Sequence, residues 1–196
     1  MIDSFTKINL NKIIYTALFL VFIIWTVELV NLFMNHNLVK FGILPRKFNG
    51  LIGIIISPMI HGSITHTISN TLPLFFLSGF MVLIQKNRFM LVNFLIVICS
   101  GLLIWLFARN SYHVGSSGLI FGYFGAIIMH AYIKRNFYSI FILILILTSY
   151  GSTILFGLLP VNQFISYESH VFGLISGLGV VYFLEKYAPQ AQYKLD

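Results

Sequence analysis

Six apolar runs, each long enough to cross a bilayer, fill most of this 196-residue chain, at about 13–34, 64–84, 89–107, 118–133, 137–159 and 170–187. A spanning helix takes roughly 20 apolar residues, so six of them leave room for short connections and for no separate soluble domain. Composition agrees. Charged residues make up 9% and hydrophobic ones 58%, with a mean hydropathy of +0.92, whereas a soluble domain carries roughly 25% charged residues. The expected fold is therefore an all-α polytopic membrane protein, one six-helix domain over 1–196. A seventh apolar stretch, Leu51 to Ile60, is too short to cross and contains Pro58. It reads as a re-entrant or interfacial part of the long first loop. The first run follows Lys7 and Lys12 like a signal sequence, but it is longer than a secretory apolar region and lacks a small-residue cleavage site. It is expected to be a retained helix.

The formal charge of +7 arises from 12 Lys and Arg against 5 Asp and Glu, with no basic cluster or aromatic-basic platform. Nucleic acid is thereby excluded as a partner, and membrane orientation accounts for the charge. With the N-terminus inside, the inner segments hold Lys7, Lys12, Lys86, Arg88, Lys134, Arg135, Lys186 and Lys194. The outer loops hold only Lys40, Arg46, Lys47 and Arg109. Both termini are thus expected in the cytoplasm, with the second, fourth and sixth helices running inward from the outer face. Cys99 is the only cysteine and lies inside an apolar run, which leaves no disulfide framework and no cysteine metal site. No cofactor is expected.

Burying polar groups in lipid without partners costs several kcal/mol, so the polar residues at span ends carry the functional signal. Near the start of the second span stand His61, His66 and Asn70, the last two four apart and so on one helix face. The fourth opens with Gly115-Ser116-Ser117-Gly118, and the sixth with Glu168-Ser169-His170, followed by Gly173 and Gly177. All three sets occupy the outer ends of inward-running helices, at similar depth. A serine, a histidine base and side-chain hydrogen-bond donors meeting there supply the parts of an acyl-transfer site. The bland alternative is packing: histidines can bond neighbouring carbonyls, and Gly118-x-x-x-Gly122 and Gly173-x-x-x-Gly177 match the pattern for close helix contact. No acid is placed to orient His170, because Asp3 and Asp196 are terminal, Glu28 is in the first helix, Glu185 is near the inner face and Glu168 is two residues away. A Ser-His dyad is expected rather than a triad.

In these motifs the chain resembles the rhomboid intramembrane serine proteases, over roughly Leu51 to Gly177. The matching elements are His66 to Asn70, Gly115 to Gly118, and His170 with Gly173 and Gly177. The resemblance implies that Ser117 is the nucleophile and His170 its base. It implies an oxyanion hole built from the Ser117 N–H, His66 and Asn70. His61 matches a further family histidine of structural or water-retaining role. Two positions depart from the family pattern. Many members carry Trp-Arg where this chain has Ile52 and Gly53, and many stack a tyrosine on the base where this chain has Phe121. The implied substrates are single-span transmembrane proteins, cut near the outer face after a small residue, and the expected location is a prokaryotic cytoplasmic membrane. Two rival readings are an inactive relative that binds transmembrane clients, and a small transporter using buried histidines.

Overall fold

The computed structural model describes residues 10–160 and 166–189. Lys7, Lys194, Asp3, Asp196 and residues 161–165 between the last two apolar runs lie outside the described residues. Six long helices occupy the six apolar runs: α1 (Leu10–Phe33), α3 (Ile64–Gln85), α4 (Phe89–Phe107), α5 (Ser117–Lys134), α6 (Phe137–Gly157) and α7 (Tyr167–Tyr187). A single turn, α2 (Gly53–Ile56), sits in the first loop. The protein is an all-α polytopic membrane protein. Its exterior is apolar enough to require lipid, with Phe22, Phe94, Phe141 and Phe183 all more than half exposed.

Short polar residues set the helix starts. The side chains of Ser63, Asn136 and Ser166 accept the N–H groups of His66, Ser139 and Ser169 at the openings of α3, α6 and α7, satisfying donors that have no intrahelical partner. The Ser166 cap starts α7 at Tyr167, three residues before the apolar run suggested, which puts His170 in its first turn.

Helix α5 is the centre. Of its 18 residues 13 are buried, and it packs against α3, α4, α6 and α7. Four described stretches are apolar and long enough to cross a membrane: Leu10–Phe33, Ile64–Phe107 (the α3–α4 hairpin), Phe137–Gly157 and Tyr167–Tyr187. Helix α5 is not among them, and its position explains why. Walled by protein rather than lipid, it can carry glycines and His130 where an outer helix needs leucines.

The tightest contact is between α5 and α7, and it is made by backbone. A Cβ placed on Gly173 would overlap the Gly118 carbonyl oxygen, one on Gly177 the Gly122 carbonyl oxygen, and one on Gly125 the Leu174 carbonyl oxygen. The two small-residue patterns thus pack on each other. At the C-terminal ends of α5 and α7 the Lys134 ammonium donates to Glu185 at 2.7 Å, which engages that acid far from the starts of those helices.

The first loop is a broken helical run, Phe48–Met59, laid against α4. Gly53 abuts the backbone of Gly42 and Ile43, and Gly50 that of Leu44, so neither position has room for a side chain. The absence of Trp-Arg at Ile52 and Gly53 is offset from elsewhere in the sequence. Arg46 donates to the carbonyls of Leu106 (3.1 Å) and Ala108 (2.9 Å) at the C-terminus of α4, and Trp105 Nε1 donates to the Lys47 carbonyl (2.9 Å). Ile43 and His113 exchange backbone hydrogen bonds, which clips this loop to the segment leading into α5.

Candidate active site

The N-terminal ends of α3, α5 and α7 converge on one cavity of about 890 Å³, lined among others by His66, Asn70, Ser117, Phe121, Gly157 and His170. Each set reaches it by a separate local device. On α3, the Ser63 cap fixes the first turn, and helical spacing then stacks His66 and Asn70 toward the cavity. Before α5, Gly115 adopts φ +113°, a conformation open to glycine. A Cβ there would lie 2.6 Å from His66 Cε1 and 3.7 Å from Asn70 Nδ2, so bare backbone is what lets the α5 start touch both α3 side chains. Gly118 lies against Ser169, a Cβ on it falling 3.4 Å from the Ser169 carbonyl oxygen. The immediate neighbours of Ser117 and His170 are therefore in contact.

The two adjacent serines point to different fates. Ser116 is 1% exposed, and both its hydroxyl (3.3 Å) and its N–H (3.4 Å) are paired with His61 Nε2. Ser117, the first residue of α5, lines the cavity with its N–H among those a helix leaves unbonded. His61 also meets His66 edge-on, ring centres 5.0 Å apart. Burial, with His66 nearby, pushes the His61 imidazole down from 6.5 to about 3, so it stays neutral and can accept from Ser116.

That shift has a consequence for stability. Between pH 6.5 and about 3 the unfolded chain takes up a proton at His61 that the folded chain refuses. Stability is complete above pH 6.5 and declines as the pH falls. Thermal midpoints in detergent are expected to drop steadily from pH 7 to pH 4, and the drop should shrink in His61→Gln. A midpoint independent of pH over that range would contradict the neutral, buried His61.

His170 is held on two sides. Its ring stacks on Phe121 with centres 4.1 Å apart and planes within 1°, so stacking does not need the tyrosine hydroxyl. Its Nδ1 lies 2.7 Å from the Gly157 carbonyl oxygen. A carbonyl can only accept, hence Nδ1 carries the proton and Nε2 is left as a base. Glu168 is turned away and engages Arg109, whose Nε and backbone N–H both lie 3.4 Å from its Oε1. No hydrogen bond joins Ser117 to His170 in this arrangement; both line the same cavity. Asn70 Nδ2 is buried and has no hydrogen-bond partner among the described residues, an expensive state for a donor.

Sequence reasoning missed two elements. The Gly157 carbonyl is main chain and leaves no signature in a sequence. His113 was legible as a polar residue just before Gly115, but its partners were not. Its Nε2–H donates to the Arg109 carbonyl (3.0 Å), so Nδ1 accepts from the Ser166 hydroxyl (2.5 Å), which in turn accepts from the Ser169 hydroxyl (2.6 Å). Burial lowers His113 below the ordinary histidine value, which keeps this chain intact. It ties the segment before α5 to the start of α7. Cys99, half-buried on α4, takes no part in the cavity, and among the described residues no group of three His, Cys, Asp or Glu side chains is placed to hold a metal.

Comparison with known proteins defines the class. The Rhomboid domain family matches residues 49–187, a range that contains α2 to α7 and every cavity residue just described. The chain belongs to the rhomboid family. It is 33% identical over 178 residues to the uncharacterized protein Rv1337 of Mycobacterium tuberculosis, covering 86% of this chain and 74% of the relative. It is 32% identical, again over 178 residues, to the uncharacterized protein ML1171 of Mycobacterium leprae, covering 86% of this chain and 70% of that one.

Proposed function

We propose that this protein is an intramembrane serine endopeptidase that cuts single-span membrane proteins near the outer face. The observation that carries the reading is His170, stacked on Phe121 and bonded through Nδ1 to Gly157, with its basic nitrogen free beside a cavity shared with Ser117, His66 and Asn70. Ser117 Oγ attacks the scissile carbonyl while His170 Nε2 takes its proton and then delivers it to the leaving amine. The oxyanion is held by the Ser117 N–H, His66 and the unpartnered Asn70 amide. Water then attacks the acyl-enzyme with His170 again as base. Metal and cofactor have no assigned role in these steps. Asn70→Ala is expected to lower the cleavage rate by about 10²-fold, as loss of one donor among several; an unchanged rate would remove Asn70 from the hole.

The cavity is walled by Ser69, Asn70, Pro73 and Leu77 of α3 and by Tyr150, Thr153 and Ile154 of α6. On α6 only Ser139 and Ile146 are buried, so the α3–α6 side is the lightly packed route by which a client helix reaches Ser117 from the lipid. A client helix bonds its own amides and must unwind before a carbonyl is available. Gly and Pro weaken it, by about 1 and 3 kcal/mol relative to Ala, and clients carrying them near the outer boundary are the preferred ones.

The test is a labelled fluorophosphonate applied to the protein in proteoliposomes. Labelling of Ser117 together with cleavage of a single-span reporter supports the protease. Client binding without labelling favours an inactive relative, and proton flux without labelling favours a transporter. Orientation is part of the proposal: in a prokaryotic cytoplasmic membrane with both termini inside, a cysteine at Lys40 should react with an impermeant reagent from outside. Cysteines at Asn87 and Asn136 should not, and the reverse pattern would place the cavity on the cytoplasmic side.

A further inference from the structure

The long helix with the fewest buried residues carries the atom that orients the base. Gly157 is the last residue of α6, and its carbonyl belongs to the final turn, where helix carbonyls lack intrahelical partners. It is free to accept from His170 Nδ1 at 2.7 Å. The fit is close, since a Cβ on Gly157 would lie 2.6 Å from Phe121 Cζ and 3.1 Å from His170 Nδ1. The acid nearest in sequence, Glu168, is committed to Arg109, and the described structure gives Nδ1 no other partner. Farther down, α6 packs against α5, and its Ile146, 1% exposed, belongs to the apolar core that holds Ile120, Phe124 and Ile127 of α5.

We propose that Gly157 is a positioning residue acting through its main-chain carbonyl, and that the docking of α6 against α5 thereby sets the tautomer of His170. Docked, α6 holds the proton on Nδ1 and leaves Nε2 basic toward Ser117. Displaced, as when a client passes between α3 and α6, it withdraws the carbonyl and frees the imidazole to place its proton on Nε2, where it cannot act as base. The base is competent only after α6 has returned. Such an arrangement couples access to chemistry without any moving catalytic side chain. This rests on the protease reading above for its consequence in rate, but the tautomer itself is measurable whether or not the protein cleaves anything.

The experiment replaces the Leu158 amide by an ester in the full-length protein, which turns the Gly157 carbonyl into a weaker acceptor, and follows His170 by nitrogen NMR of labelled histidine. The His170 signals are assigned by their loss in His170→Gln. The same substitution at Leu159 is the control for the lost N–H, because that carbonyl change falls on Leu158. The Leu158 ester should shift His170 from the Nδ1–H form toward a mixture and lower kcat by about tenfold with KM little changed, the effect of weakening one orienting hydrogen bond. The Leu159 ester should do neither. Ile146→Ala, which loosens α6 away from the site, should move the tautomer in the same direction. An unchanged tautomer in the Leu158 ester would overturn the positioning role, and a response there without one in Ile146→Ala would overturn its control by α6. If the tautomer shifts as described while the unmodified protein neither labels nor cleaves, the protease reading fails and the positioning of His170 stands.

Discussion

Ser117→Ala is expected to reduce cleavage of a single-span reporter to background, a loss on the order of 10⁴-fold or more, and His170→Ala to match it. The two groups act as one unit, so the double variant should be no worse than either alone. Folding should survive the serine change. The Ser117 side chain makes no hydrogen bond among the described residues, and its hydroxyl faces the cavity, so its removal leaves no buried partner stranded. Ser117→Ala should keep its thermal midpoint in detergent and lose fluorophosphonate labelling. His170→Ala removes the ring stacked on Phe121 and the donor to Gly157, so a small drop in midpoint is expected as well. Ser116→Ala behaves differently: it takes a hydroxyl from His61 and should cost stability more than rate. Full activity in Ser117→Ala would refute the assignment and transfer the nucleophile to Ser116.

Much of the fold was legible because lipid leaves a chain few choices. Span-length apolar runs must be helices there, and the observed bounds of α3, α4 and α5 fall within one residue of the runs. Beyond the first run, Leu10, Asn11 and Lys12 are also helical, the last two despite their polarity. Convergence of the three motif sets followed from the alternation of helix direction. What depends on backbone was hidden. Nothing about Gly157 as a residue type says that its carbonyl meets an imidazole, and nothing about Arg46 or Trp105 says that they fasten a first loop lacking Trp-Arg. The central place of α5 was half visible. Its glycines and His130 mark it as the run least suited to face lipid, but only the packing shows that α7 covers it.

That packing supports the second large effect. Gly177→Ala adds one methyl group, and helix propensity alone would favour it by about 1 kcal/mol. In this position the Cβ overlaps the Gly122 carbonyl oxygen and lies 2.7 Å from the Gly122 carbonyl carbon and 2.8 Å from Ala126 N. All three are backbone atoms of α5, so no side chain can turn aside to relieve the overlap. Helices α5 and α7 must separate, and α5 has protein on its other sides to resist. The expected cost is about 3 kcal/mol or more, at or beyond the upper end for an overpacked core, seen as a fall of the thermal midpoint in detergent. Activity should fall further than stability accounts for, because the same two helices carry Ser117 and His170 and any separation widens the gap between them. Gly179, two residues on in α7, is the internal control. A Cβ there meets nothing within 4 Å, so Gly179→Ala should hold or slightly raise the midpoint and leave cleavage intact. Equal midpoints and rates for the two alanine variants would mean that the α5–α7 contact does not set the spacing of the site.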